Sequence, residues 1–170
     1  VDAAARLVHA DHCIGHGKCA AECPMDAIRL VMGTSERGVD LPEVDEFFES
    51  SRPGVHVVGE LGGMGLIRNA IAQGLQVAER LGRVLPKGRR DATDVAIVGA
   101  GPAGLATALG LRAAVRSFRV LEQGTVGGTI AHYPRHKVVM TEPAVIPFYG
   151  KIGRKVLTKE DLLAVFEGAM

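Results

Sequence analysis

The chain has 170 residues, is 47% hydrophobic with 22 glycines, and carries a formal net charge of +1. That length fits one ordinary domain or two small ones, and the near-neutral charge gives no reason to expect nucleic acid or an anionic membrane surface as a partner. The start, VDAAARLVHAD, has no basic stretch followed by an apolar one, so it is no signal peptide, and the longest uncharged stretch, 95–111, is broken by glycines and Pro102, so no membrane span is expected.

In chain order, residues 1–33 form a first segment. Two strand-like pieces, ARLVH and AIRLV, flank DHCIGHGKCAAECP at 11–24, which holds all three cysteines, Cys13, Cys19 and Cys23. An odd number of clustered cysteines is too few for a disulfide scaffold. It favours a reducing, cytoplasmic compartment and metal or cluster ligation. Against the ferredoxin spacing C-x2-C-x2-C-x3-C-P, Cys13, Cys19, Cys23 and Pro24 match, and His16 stands where the second cysteine belongs. Three readings of His16 stand open. It ligates iron through its imidazole. It leaves the corner empty, so that a three-iron cluster forms. Or it is a surface residue and nothing binds. A zinc site of three cysteines and one histidine also matches by ligand count.

Residues 34–51 read as a polar, acidic connector, TSERGVDLPEVDEFFESS. In 52–85 the pattern predicts a strand at 55–59 ending at Glu60, a glycine cluster (Gly62, Gly63, Gly65), and a helix over 66–81. The helix has one apolar face, formed by Ile67, Ala70, Ile71, Leu75, Ala78 and Leu81. Residues 86–92 read as a linker, and Arg80, Arg83, Lys87, Arg89 and Arg90 as a solvated helix end beside it.

The last segment, 93–170, opens with DVAIVG, a continuous apolar strand of the kind buried in a parallel sheet. A helix is expected over 102–114, then a second strand, FRVLEQ, which gives a βαβ unit. From Gly124 the pattern is loop-rich, until Thr158 and Asp161 cap a last helix containing LLAVFE. Between the first strand and helix lies Gly99-Ala-Gly101-Pro102-Ala103-Gly104, a GxGxxG in the context that gives the motif its meaning. The first glycine makes the turn, the second lets backbone approach a pyrophosphate, and the third lets helix and strand pack closely. The free N–H groups and dipole of the helix N-terminus favour the anion. Glu122 ends the second strand at about the 20-residue distance where an acid accepts ribose hydrogen bonds. The fold class expected is α/β, a Rossmann-type βαβ unit preceded by a small α+β iron–sulfur segment.

The string DVAIVGAGPAGLATALGL…FRVLEQG resembles the flavin-binding half of the thioredoxin-reductase-like flavoproteins. The resemblance implies FAD on Gly99, Gly101, Pro102, Ala103, Gly104 and Glu122, with NAD(P)H bound by a domain absent from this chain. Gly127-Gly128-TIAHYP is similar to the double-glycine loop that lies along the flavin, closest to the bacillithiol-disulfide-reductase branch; two readings of His132 and Tyr133 stand open, a place near the flavin edge and an ordinary structured loop. The stretch PGVHVVGELGGMGLIRNAIAQG resembles the closing signature of the same superfamily. There an aspartate bonds the ribityl chain and a helix N-terminus faces the flavin ring. This assigns Glu60, in place of that aspartate, with Gly62 and Gly63. In that superfamily the signature follows the GxGxxG, whereas here it precedes it. Either 52–85 close a flavin domain begun upstream, or the domain is permuted. The cysteine run with Ile14, Gly15, Gly17 and DAIRL resembles a ferredoxin-type 4Fe-4S domain, which implies Cys13, His16, Cys19 and Cys23 as ligands to a 4Fe-4S or 3Fe-4S cluster.

The chain is thus expected to be an iron–sulfur flavoprotein oxidoreductase, or a fragment of one, moving electrons between NAD(P)H, FAD and the cluster. Upstream and downstream segments, or a partner subunit, would supply a second cysteine run and the nicotinamide site. The first residue, valine, fits a chain cut from something longer. No residue is marked as a catalytic acid, base or nucleophile, and no Cys-x-x-Cys pair is present for dithiol chemistry. A non-catalytic electron-transfer or cofactor-binding module and a truncated product with partial cofactor binding are the alternatives.

Overall fold

The computed structural model describes residues 17–28, 31–32, 39–62, 65–86, 92–140, 142–153 and 156–168. Cys13, His16, Gly63 and the strand-like piece at 5–9 lie outside the described residues.

A single helical turn, α1 (Lys18–Ala21), leads to a short antiparallel pair, β1 (Val31–Met32) and β2 (Val39–Asp40). The acidic stretch that follows is more than a connector. Asp45 accepts N–H bonds from Phe47 and Glu49 through its carboxylate, and from Phe48 through its carbonyl. The tight turn this makes puts Phe48 at φ 60 and buries it completely. Burying a phenylalanine is worth about 1.5–3 kcal/mol, enough to hold a left-handed backbone that costs about 1–2 kcal/mol. Phe47, on the outside, lies under the Arg80 guanidinium at 4.5 Å.

The strand expected at 55–59 does not form. His56 makes a lone bridge to Glu49, the carbonyl of Val55 accepts from Ser50, and the N–H of Val57 donates to Phe48. These backbone groups are satisfied by the turn before them, so no sheet strand is recruited. A 3-10 turn, Glu60–Gly62, follows.

Helix α2 (Ile67–Val84) extends three residues past the expected end and stops before Pro86. Its expected face is buried at Ala70, Ile71, Ala78 and Leu81, and the polar Asn69 and Gln73 are buried with it. Strands β3 (Val95–Val98) and β4 (Phe118–Leu121) pair in parallel, Val95 with Phe118 through Val98 with Leu121. They are joined by α3 (Pro102–Ala113), with proline at its first position, where a missing N–H costs nothing. Asp94 and Ser117 lock the strand starts together by N–H and hydroxyl bonds of 2.8 to 3.0 Å.

Helices α2 and α3 pack directly on one another. A Cβ on Gly74 would fall 2.3 Å from the carbonyl oxygen of Ala103, and one on Gly110 2.5 Å from Ala78 Cβ, so the crossing requires small residues at both points. The Thr107 hydroxyl bridges the crossing, donating to Gly74 O at 3.2 Å and Ala103 O at 2.9 Å. Arg116 fixes the far end of α2 by donating to Gly82 O and Pro86 O.

Strand β3, expected to be buried in a parallel sheet, lies in one and is buried on one face. Ile97 is buried toward α3, but Ala96 and Val98 are exposed, Val98 at 85%. Among the described residues, helices cover one face of this sheet.

Past Gly124 the chain is less loop-like than its composition suggests. A 3-10 turn spans Gly128–His132, and two antiparallel pairs follow, β5 (Val138–Met140) with β8 (Leu157–Thr158), and β6 (Ala144–Ile146) with β7 (Gly150–Ile152). Helix α4 (Lys159–Glu167) carries the expected capping box between Thr158 and Asp161. Leu162 and Phe166 of α4 join Ile71, Leu105, Leu109, Ile130 and Ile146 in one core. Phe48, Val77, Leu81, Ile97 and Leu111 form a second. Among the described residues no helix is long and apolar enough to cross a membrane.

Candidate functional site: a cleft on the glycine loop

The β3–α3 turn assigns a different job to each glycine. Gly99 has φ +101, a conformation that side chains resist. Gly101 is extended at φ −78, ψ −177, and an added Cβ would meet nothing within 4 Å. The space in front of it is open. A Cβ on Gly104 would fall 2.0 Å from Gly99 O and 3.2 Å from Ile97 Cγ2, so that residue sets the closeness of helix and strand. The first-turn N–H groups of α3 have no acceptor within the helix and face this opening, as helix N-termini do.

Glu122, just past β4, stands beside the turn. Its Oε2 accepts from Ala100 N–H at 2.7 Å and its Oε1 from Gly124 N–H at 2.8 Å. The Ala100 and then the Gly124 N–H hold this carboxyl below the usual carboxylate range. The side chain is nevertheless exposed, so its other lone pairs are available to a ligand.

These residues line one cleft of about 1380 Å³, which also takes in Glu60, Gly65, Leu66, Gly128, His132 and Tyr133. The cleft exceeds the roughly 300–1,000 Å³ usual for small-ligand sites, because it also runs along the uncovered face of β3 past Ala96 and Val98 to Asp94. The structure therefore brings Gly99, Gly101, Pro102, Ala103, Gly104, Glu122, Gly128 and Glu60 to one place. Glu60 opens its 3-10 turn on the rim. Gly62 is buried beneath it, where a Cβ would meet Val57 O at 3.5 Å. Gly127 faces Leu163 of α4, its Cβ position 2.2 Å from Leu163 Cδ2, and donates its N–H to Ala100 O at 2.8 Å.

One residue that shapes the cleft escaped the sequence reading. Gln73 is fully buried in α2, and its Oε1 accepts from Gly59 N–H at 2.7 Å. It thereby pins the turn before Glu60, and Gly59 packs against the first turn of α3, a Cβ there lying 3.1 Å from Ala103 Cβ. A polar residue on the apolar face of a predicted helix was the available signal.

A second hollow, of about 690 Å³, lies between the C-terminal half of α3 and β4, lined by Leu105, Leu109, Val115 and Phe118. It is apolar and holds no residue of the fingerprint, so the glycine-loop cleft remains the nucleotide candidate.

In the cysteine segment Cys19 is exposed on α1 and Cys23 is partly buried. Cys23 Sγ accepts from Ala27 N–H at 3.4 Å, and that bond, followed by one from Met25, holds the thiol below its usual range. Among the described residues no group of three or more histidine, cysteine or carboxylate side chains converges as a metal site.

Residues 96–147 match the family model of the pyridine nucleotide-disulphide oxidoreductases. The match covers β3, the glycine loop, α3, β4, Glu122 and the 127–133 turn, and it supports a function of that oxidoreductase type with FAD and pyridine-nucleotide chemistry. It does not reach the cysteine segment. No curated protein and no solved structure matches the chain.

Proposed function

We propose that this chain is an FAD-binding oxidoreductase unit, of the thioredoxin-reductase-like kind, that moves electrons between NAD(P)H, FAD and an iron–sulfur cluster. One observation carries the flavin part: open space lies in front of Gly101 at a helix N-terminus, within a cleft large enough for a dinucleotide and with a carboxylate at its edge. The residues fit the group. The N–H groups of the 101–104 turn would meet the diphosphate, Glu122 the adenosine ribose, and Glu60 with the N-terminus of α2 the flavin end. Bound there, a flavin supplies exchange between two-electron and one-electron transfer. The chain's own residues bind, orient and shield it. None is assigned a proton transfer.

The packing of α2 on α3 and their shared cleft favour the permuted arrangement, in which 52–85 complete the unit begun at 93. For the cluster, the support is the Cys13, His16, Cys19, Cys23 and Pro24 spacing, together with N–H donation to the Cys23 sulfur, which favours a thiolate. NAD(P)H would be bound by further chain or by a partner subunit, which would also supply a second cysteine run. The setting proposed is cytoplasmic.

Anaerobic purification with added FAD, ferrous iron and sulfide tests both parts. Flavin bands and a broad cluster absorbance are expected. Replacing Cys19 and Cys23 by serine removes the second and leaves the first. Protein that takes up no FAD refutes the flavin part; retention of the broad band in the serine variant refutes the cluster part.

A further inference from the structure

We infer that Glu122 is a positioning residue that fixes the glycine loop for a diphosphate, independently of any contact it makes with a ribose; this rests on the cofactor reading above. Ala100, at the centre of the loop, is 1% exposed. Its N–H donates to Glu122 Oε2 at 2.7 Å, and its carbonyl accepts from Gly127 N–H at 2.8 Å. Both peptides flanking Ala100 are therefore held by the 122–127 segment. The second carboxylate oxygen takes the N–H of Gly124 at 2.8 Å, which folds that segment back toward the loop. Gly128 then lies against Gly101, a Cβ on Gly128 falling 3.4 Å from Gly101 Cα.

Glu122 is the acceptor that makes this clamp close. Without it the buried Ala100 N–H loses its partner, an arrangement costly enough to turn the peptide toward water. Planar peptides move as units, so the Gly99–Ala100–Gly101 path would lose the shape that leaves the space before Gly101 open.

The sign of a simple experiment separates this role from its rivals. A carboxylate beside an anion repels it, so by charge alone removing Glu122 tightens binding of inorganic pyrophosphate. A ribose contact alone leaves pyrophosphate binding unchanged, because pyrophosphate has no ribose. The clamp requires the opposite of the charge effect. Glu122→Ala weakens pyrophosphate about tenfold, the scale of one lost hydrogen bond to a charged group, whereas Glu122→Gln, which keeps an acceptor for the buried Ala100 N–H and gives up only the bond to the exposed Gly124 N–H, stays within about threefold of the parent. The readouts are calorimetric titration of the purified chain with pyrophosphate and with ADP, and amide exchange at Ala100 without ligand. Ala100 protection is expected in the parent and in Glu122→Gln, and its loss in Glu122→Ala. Pyrophosphate binding equal to or tighter than the parent's in Glu122→Ala, or unchanged Ala100 exchange, overturns the inference. A parent chain that binds neither pyrophosphate nor FAD overturns the cofactor reading, while the exchange measurement still decides whether Glu122 holds the loop.

Discussion

Ala100 and Cys23 each sit inside a short motif that spacing alone picks out, and the chain secures them differently. Around Ala100 both backbone groups are bonded, α3 closes on β3 through Gly104, and α2 closes on α3 through Gly74. Around Cys23 the bonds among the described residues run from Ala27 N–H to the sulfur and within the α1 turn, and the link to the rest of the described chain includes the exposed Lys18–Glu46 pair at 2.6 Å. Exposed pairs of this kind are screened and contribute little. A motif embedded in a core has its geometry imposed on it.

The contrast is most exposed to test where the acidic stretch meets the core. Phe48→Ala removes a fully buried ring shared with Val77, Leu81, Ile97 and Leu111. It is expected to cost about 3–5 kcal/mol in urea unfolding, while Cys19→Ser with Cys23→Ser leaves the unfolding midpoint of the metal-free chain unchanged. Equal losses from the two would erase the distinction drawn here.

Gly104→Val sharpens the comparison inside the loop. Its Cβ would meet backbone, so about 2–3 kcal/mol of overpacking destabilisation is expected, read as a fall in thermal midpoint. A midpoint unchanged from the parent would mean that helix and strand are not held so closely.

Val115 is a smaller case. It follows α3 at φ 54, is 90% exposed, and is β-branched. Its N–H and that of Arg116 close the helix end on Arg112 O and Leu111 O, a place that favours glycine. Val115→Gly is expected to stabilise by about 1 kcal/mol. Destabilisation would show that the side chain contributes packing.

The smallest effect is on the acid limb of stability. The Thr158 hydroxyl and N–H hold Asp161 below the usual carboxylate range, and the Ser117 N–H and hydroxyl do the same for Asp94. A folded value below the unfolded one, about 3.9, gives stabilisation that is present above that pH and lost as pH falls through the folded value. Thermal midpoints measured from pH 5 down to 2 should fall less steeply in Asp161→Asn than in the parent. Parallel curves would remove Asp161 from the account.

What could be read from the sequence divides along the same line. The β3–α3–β4 unit, its glycines, Glu122 and the Thr158–Asp161 box were all legible, because turn chemistry, period and capping are local rules. Phe48 was hidden in an acidic stretch, since its burial depends on a turn closing over α2. The strand at 55–59 failed because its bonding groups were taken by residues 47–50, a choice no local pattern records. Gln73 broke the apolar periodicity of α2 for the sake of Gly59. The exposed face of β3 ran against an apolar pattern that states preference for burial without supplying the cover. Cys13 and His16 fall outside the described residues.

The central claim is that the space before Gly101 receives the diphosphate of a flavin dinucleotide. Fluorescence titration of FAD into the parent chain and into Gly101→Val tests it most directly, with thermal unfolding of both as the control. The account predicts saturable one-to-one binding by the parent, at least tenfold weaker binding by the variant, and matching unfolding midpoints, since the added side chain enters open space. Equal FAD binding by the two proteins would contradict it.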